Sequence, residues 1–242
     1  MSTLGILGTI LVVALLLAGC TMVVPQTITE SGKAAPVEKD LSGFSKIDAG
    51  SAFRVDITRS DDYNVVINVD EKVVPYLDVT VQGDTLRIHL RPGLTLSGAS
   101  GPLEAKVSMP ALNGLNLSGA TQTTVTGFKS DQKLDVNISG ASRLEGNLEV
   151  GNVGLEASGA SRVTLRGKGQ NMQLQASGAS QADLADFAVT NGNVELSGAS
   201  RATVNASGKL DVDASGASQL RYTGNPTMGS VKSSGASAIQ PQ

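Results

Sequence analysis

Between residues 44 and 92 apolar and polar side chains alternate. Phe53, Val55 and Ile57 share one face of an extended chain, with Arg54, Asp56 and Thr58 on the other. After Ser60-Asp61-Asp62 the alternation resumes over Val65 to Val69. A period of two is the pattern of a half-buried strand, because successive side chains leave opposite faces of the pleat. Val79 and Val81 are separated from Leu86, Ile88 and Leu90 by Gln82-Gly83-Asp84, which predicts a hairpin or a tight corner.

Beyond residue 93 the pattern becomes a repeat. Ser-Gly-Ala followed by Ser or Thr begins at Ser97, Ser118, Ser139, Ser158, Ser177, Ser197, Ser215 and Ser234, at spacings of 21, 21, 19, 19, 20, 18 and 19. Aligned on the first Ser, the position three before it holds Leu115, Val136, Leu155, Leu174, Val194, Val212 and Val231. The position one before it holds Leu117, Ile138, Ala157, Ala176, Leu196, Ala214 and Ser233. Between these apolar columns stands a polar one, Asn116, Asn137, Glu156, Gln175, Glu195, Asp213 and Lys232, which must face the other way. After the motif Gln122, Arg143, Arg162, Gln181, Arg201 and Gln219 are polar, and the residues that follow them are mostly apolar. Each unit therefore holds one strand before the motif and one after it. A variable segment such as Gly127-Phe128-Lys129 or Arg166-Gly167-Lys168 absorbs the differences in length.

The motif itself reads as a corner. Its Gly permits positive φ, its Ala is expected to pack inward without crowding, and its Ser hydroxyls can bond backbone. Two architectures fit. One is a parallel β-solenoid with about 19–20 residues per coil; the other is a series of antiparallel hairpins that turn at each motif. Persistent column identity favours the solenoid, since in-register parallel stacking sets like residue on like. The fold class is all-β.

The N-terminus carries an address. Residues 4 to 17 are an apolar run, short for a membrane span, ending in Leu17-Ala18-Gly19-Cys20. Those four residues match the bacterial lipobox, in which small residues admit the signal peptidase and the cysteine thiol receives diacylglycerol. Cys20 is the lipidation candidate and the chain's one cysteine, so neither an internal disulfide nor a cysteine metal site can form. The alternative is an ordinary signal peptide with a chance cysteine. Residues 2 to 19 lack the basic residue with which such signals begin. Residues 20–43 mix Pro, Gly, Ser and charge and read as a lipid-anchored linker. The expected division is a lipoprotein signal peptide over 1–19, this linker, and a β-helix domain over 44–242. Within that domain, 44–92 holds the N-terminal strands and 93–242 the repeats. Thr21, standing where an Asp would favour inner-membrane retention, points to the outer membrane if the host has one.

Composition narrows the chemistry. Aromatics are 3% of the chain, Trp is absent and Gly numbers 28, so the core must be built from small aliphatics. A net charge of -3, from 19 Lys plus Arg against 22 Asp plus Glu, offers no basic field for nucleic acid. A polysaccharide-active enzyme on a β-helix needs clustered carboxylates. The candidates are Asp183, Asp186, Asp211 and Asp213, with Arg201 and Arg221 close in the aligned register. The competing reading of the same positions is a solvated outer column. His89, the sole histidine, reads as an exposed strand residue on the polar face. Ser-Gly-Ala-Ser has neither the spacing of a phosphate-cradling loop nor the Asp of a calcium-binding nonapeptide, so no cofactor or metal is expected.

Phe44-Ser45-Lys46-Ile47, Phe53-Arg54-Val55-Asp56-Ile57 and Leu86-Arg87-Ile88, followed by serial Ser-Gly-Ala-Ser copies, resemble the bacterial family called putative auto-transporter adhesin, head GIN domain. The resemblance covers about residues 44 to 239. It implies a right-handed parallel β-helix, often on a lipoprotein, with an adhesive role and no catalytic residues to carry over. The expectation is a lipid-anchored, extracytoplasmic, non-enzymatic binding or adhesion module. Its partners would be the membrane, through the lipid, and an envelope protein or polysaccharide. The enzyme and a structural, self-associating envelope protein (a homo-oligomer) are the alternatives.

Overall fold

A computed structural model describes residues 26–98 and 101–242. It is a parallel β-solenoid of two facing sheets, one built from the strands before each corner and the other from the strands after it. In the first sheet Gly114–Leu117, Leu134–Ile138, Asn152–Ala157, Asn171–Ala176, Asn191–Leu196 and Lys209–Ala214 pair in parallel, each Cα opposite its equivalent one repeat away. In the second, Gln122–Lys129, Arg143–Glu149, Arg162–Lys168, Gln181–Val189 and Arg201–Ala206 pair likewise from the corner onward, with register shifts after Thr126, Thr164 and Leu184 in the variable segments. The aligned columns of the sequence are thus physical columns, and the serial-hairpin alternative is excluded. Every second side chain points between the sheets, where Val136, Leu155, Leu174, Val194 and Val212 fill a narrow core. Burying each such aliphatic contributes about 1.5–3 kcal/mol.

The corners stack backbone on backbone. Ala141, Ala160, Ala179, Ala199 and Ala217 each donate an N–H to the glycine carbonyl of the preceding corner, at 2.7–2.9 Å. The glycines from Gly119 on hold φ near +70°. A Cβ on Gly159 would stand 2.7 Å from the Gly140 carbonyl oxygen, so conformation and close approach both require glycine there. The expected inward Ala is corrected. Each corner Ala is exposed, and the closing residue, Thr121, Ser142, Ser161, Ser180, Ser200 or Ser218, is buried in its place. Of these inward hydroxyls, Ser180 and Ser200 donate to the Ala157 and Ala176 carbonyls of the preceding coil, at 3.3 and 3.2 Å, and Thr121 to the Ser118 carbonyl at 2.8 Å, whereas those of Ser142, Ser161 and Ser218 have no partner among the described residues.

The copy at Ser97 does not join this stack. Leu94–Ser97 pairs with Gln26–Thr29, and Gly98 packs against Thr29 and Glu30. Its place beneath Gly119 is taken by Ser51, which with Ala52 holds positive φ in Ala49-Gly50-Ser51-Ala52. The chain forms the coil of Lys46–Ala49 and Arg54–Arg59, leaves it, and lays Thr85–Leu90 and Glu104–Met109 on its outer side. It then crosses back to continue the solenoid at Gly114. Leu77–Gln82 forms the expected hairpin with Thr85–Leu90, and Asn64–Asp70 adds antiparallel to Glu104–Met109. These antiparallel strands close the N-terminal end.

The region read as linker is also partly structured: Ala34–Lys39 pairs antiparallel with Asn64–Asp70. A clasp holds this arm. The fully buried Asp70 carboxylate accepts from the Ser31, Gly32 and Lys72 N–H groups, at 2.7–2.9 Å, and from the Ser31 hydroxyl. Burial would raise its pKa, but those hydrogen bonds outweigh it and hold the carboxyl below the usual aspartate value.

At the other end, Thr227–Ser233 and Ala238–Pro241 are edge strands. The first carries a register shift between Met228 and Val231. In the second, Ala238 and Gln242 donate inward, which turns the intervening odd positions outward and sets Pro241 where a free N–H would otherwise stand.

Candidate functional site

On the outer face of the first sheet, one position inside the corner ridge, runs a solvent-open groove of about 480 Å³. One wall is the polar column Asn116, Asn137, Glu156, Gln175, Glu195 and Asp213, whose members are successive Cα partners. The other is the first Ser of each corner, from Ser139 to Ser215. The groove exists because Ile138, Ala157, Ala176 and Leu196 turn their side chains inward where the strand bends, leaving a floor of backbone. With strands about 4.8 Å apart, its polar wall spans five spacings, roughly 24 Å.

The electrostatics of this wall differ from those of its neighbours on the same strands. Six positions before the corner, and at Asp135 and Asp211 four before it, polar side chains bond to one another, although Gln173 and Asn193 in the latter column do not. Asn171 donates to Asn152 and Asn191 to Asn171, at 2.8 and 2.9 Å, while Lys133 pairs with Asp135 and Lys209 with Asp211. In the groove wall, Asn137, Glu156, Gln175, Glu195 and Asp213 have no side-chain hydrogen bond or ion pair among the described residues. Glu195 lies directly beside Asp213, a like-charge pair that destabilises a sheet. Asn116 is the exception, donating to Asp48 at 2.9 Å at the N-terminal end.

The candidate catalytic residues do not converge. Asp211 and Asp213 project from the first sheet, whereas Asp183, Arg201 and Arg221 project from the second, on the far side of the core. Their proximity in the repeat register is therefore corrected: residues before and after the corner share a coil but not a face. The Lys209 ammonium and the Ser230 N–H hold the Asp211 carboxyl below its ordinary range, and Asp186 faces Arg166 at 3.6 Å. Asp211 is therefore not a protonated acid poised to donate.

His89 is also corrected. Its side chain is only 19% exposed, with Nε2 3.2 Å from Asp48 and the ring against Gly50, where a Cβ would come within 2.7 Å. Arg87 lies 3.7 Å from the same carboxylate, and Asp78 stands opposite His89 in the hairpin. Among the described residues no hydroxyl or thiol is hydrogen-bonded to this imidazole, so the pair lacks a nucleophile. No group of three metal-ligating side chains occurs among the described residues, and none of their helices is long and apolar enough to cross a membrane. Cys20 and the signal segment lie outside the described residues.

A family model described as putative auto-transporter adhesin, head GIN domain, matches residues 43–226. No curated protein sequence matches the chain. Among solved structures, a putative adhesin from Bacteroides fragilis superposes with a TM-score of 0.83 at 21% identity, covering 89% of this chain and 100% of that one. A putative adhesin from Parabacteroides distasonis gives 0.70 at 17%, with the same coverages. A putative lipid binding protein from the same species gives 0.66 at 17%, covering 90% of this chain and 100% of its own. At these identities the likeness is one of fold.

Proposed function

Because the chain belongs to the putative auto-transporter adhesin, head GIN domain family, we propose that it is a non-enzymatic binding module held at the bacterial membrane, the outer one if the host has two, through lipid on Cys20. The family and the solenoid fold fit a binding or adhesion module, and its adhesin-like relatives suggest a place outside the cytoplasm. One observation carries the reading: the acids and arginines singled out in the sequence are divided between opposite faces, Asp211 and Asp213 on one and Asp183, Arg201 and Arg221 on the other, while a continuous polar groove runs along the first. The lipid-binding description of one fold-mate suggests a second reading. Here, however, the coil interior is occupied by the chain's own side chains, so a lipid would have to bind outside it. Open-ended self-association is disfavoured by the shifted edge strand and by Pro241 at the C-terminal coil.

Two measurements test the proposal. Cys20→Ala should abolish incorporation of a labelled fatty acid and release the chain from the membrane fraction. A variant that stays lipid-labelled and membrane-bound would refute the anchor. The purified full chain in detergent should bind native envelope material saturably and release no soluble fragments. Fragment release would instead identify an enzyme.

A further inference from the structure

We propose that the groove takes an extended sugar chain, neutral or amino-bearing, lying parallel to the solenoid axis; this rests on the binding-module reading above. Three features of the groove select that ligand. The first is repeat: a hydrogen-bonding side chain recurs at every strand spacing of about 4.8 Å, close to the rise of one pyranose along an extended glycan. A matching repeat lets successive sugar units make the same contact, so weak bonds add along the chain.

The second feature is donor–acceptor balance. Glu156, Glu195 and Asp213 are pure acceptors when ionised, and Asn137, Gln175 and the corner serines both donate and accept. The wall therefore has acceptors in excess and calls for a ligand rich in donors, which hydroxyls and ammonium groups supply. A polyanion would be repelled by the same carboxylates. The third feature is the unused bonding capacity itself. The asparagine column six positions before the corner bonds internally, yet this column leaves a like-charge pair uncompensated at a cost to stability, as ligand-facing surfaces do. With four Phe, three Tyr and no Trp in the chain, stacking adds little, so recognition would rest on the array of polar contacts.

Affinity electrophoresis of the full chain in detergent, through native gels containing a neutral β-glucan, partly deacetylated chitin or polygalacturonate, tests this directly. The glucan, the amino-sugar polymer or both should retard the wild type, and polygalacturonate should not. The triple variant Glu156→Ala, Gln175→Ala, Glu195→Ala should lose retention by about ten-fold or more. Arg143→Gln with Arg162→Gln, on the opposite face, should leave it unchanged. The shape-preserving set E156Q/E195Q/D213N serves if the alanine variant does not fold. It should lower retention by the amino-sugar polymer more than by the glucan, and should raise the thermal midpoint by relieving the Glu195–Asp213 repulsion.

Equal retention of the wild type and both groove variants overturns the inference. So does retention by polygalacturonate that is lost in the arginine variant, which would move the ligand to the second sheet. Saturable envelope binding with no retention by any sugar polymer overturns this inference alone. Failure to bind envelope material overturns the broader reading.

Discussion

Gly159→Ala separates the two reasons for glycine at the corners. Residue 159 holds φ +69°, a conformation that costs a residue with a Cβ roughly 1–2 kcal/mol. Alanine also stiffens the unfolded chain, which returns roughly 0.4–1 kcal/mol. On conformation alone the substitution would therefore cost about 1 kcal/mol. The stacked corner adds a second cost: the new Cβ would stand 2.7 Å from the Gly140 carbonyl oxygen and 3.1 Å from its nitrogen, both in backbone that has no rotamer to change. Relief requires the two corners to part, weakening the 2.8 Å bond from Ala160 N–H to that carbonyl, worth about 1 kcal/mol, together with the core contacts beneath it. The expected total is about 2–4 kcal/mol. Gly83→Ala is the internal reference, since Gly83 has φ +62° and nothing within 4 Å of its would-be Cβ, so it should cost about 1 kcal/mol. Urea unfolding followed by far-ultraviolet circular dichroism reads the difference directly. Equal losses for the two variants would refute direct backbone stacking of the corners.

Acid should release the N-terminal arm before the solenoid. Because the Asp70 carboxyl titrates lower in the folded chain than in the unfolded one, its contribution is complete above the ordinary aspartate pKa and is lost as pH falls through the folded value. Hydrogen-exchange protection of residues 26–39 should therefore drop in acid while that of 134–214 persists, and Asp70→Asn should weaken the arm already at neutral pH. Simultaneous loss of protection in both regions would count against the clasp. Pro241→Thr together with Lys232→Thr should make the C-terminal edge adhesive, raising the associated fraction in sedimentation at high concentration. An unchanged monomer would show that the bulged strand alone is a sufficient guard.

The repeat region was almost wholly legible because a parallel solenoid turns sequence periodicity into spatial register. Val136, Leu155 and Leu174 align in the sequence because they align in the core. Legibility ended where local pattern stopped determining neighbours. The copy at Ser97 matches the motif letter for letter yet lies outside the stack, whereas Ala49-Gly50-Ser51-Ala52 occupies it with a different order of residues. What decides is the crossing that places Thr85–Leu90 and Glu104–Met109 beneath the first coil, a long-range event with no local signature. The inward Ser and outward Ala escaped notice because both are small; alternation alone, counted across the corner, would have placed them. The arm at 26–39 was hidden because its partner, Asn64–Asp70, is distant in sequence. The polar wall of the groove stood in the alignment as a column, but its concavity comes from the bend at the corner, which residue types do not encode.

Register also imposes a constraint that separates structural columns from functional ones. Whatever occupies an outward position must tolerate its equivalent at one strand spacing above and below. Asparagine solves this by bonding to itself, as Asn152, Asn171 and Asn191 do, and Lys–Asp pairs solve it by neutralising charge along the strand. A column of Asn137, Glu156, Gln175, Glu195 and Asp213 solves it neither way, although a Lys or Asn at 195 would fit the same exposed position. Stability alone would replace such residues, since relieving one like-charge contact in an exposed site disturbs no packing. Their presence along a continuous outer groove fits a compensating interaction with another molecule, as proposed above, and on that proposal the stability gained by neutralising Glu195 should be matched by binding lost.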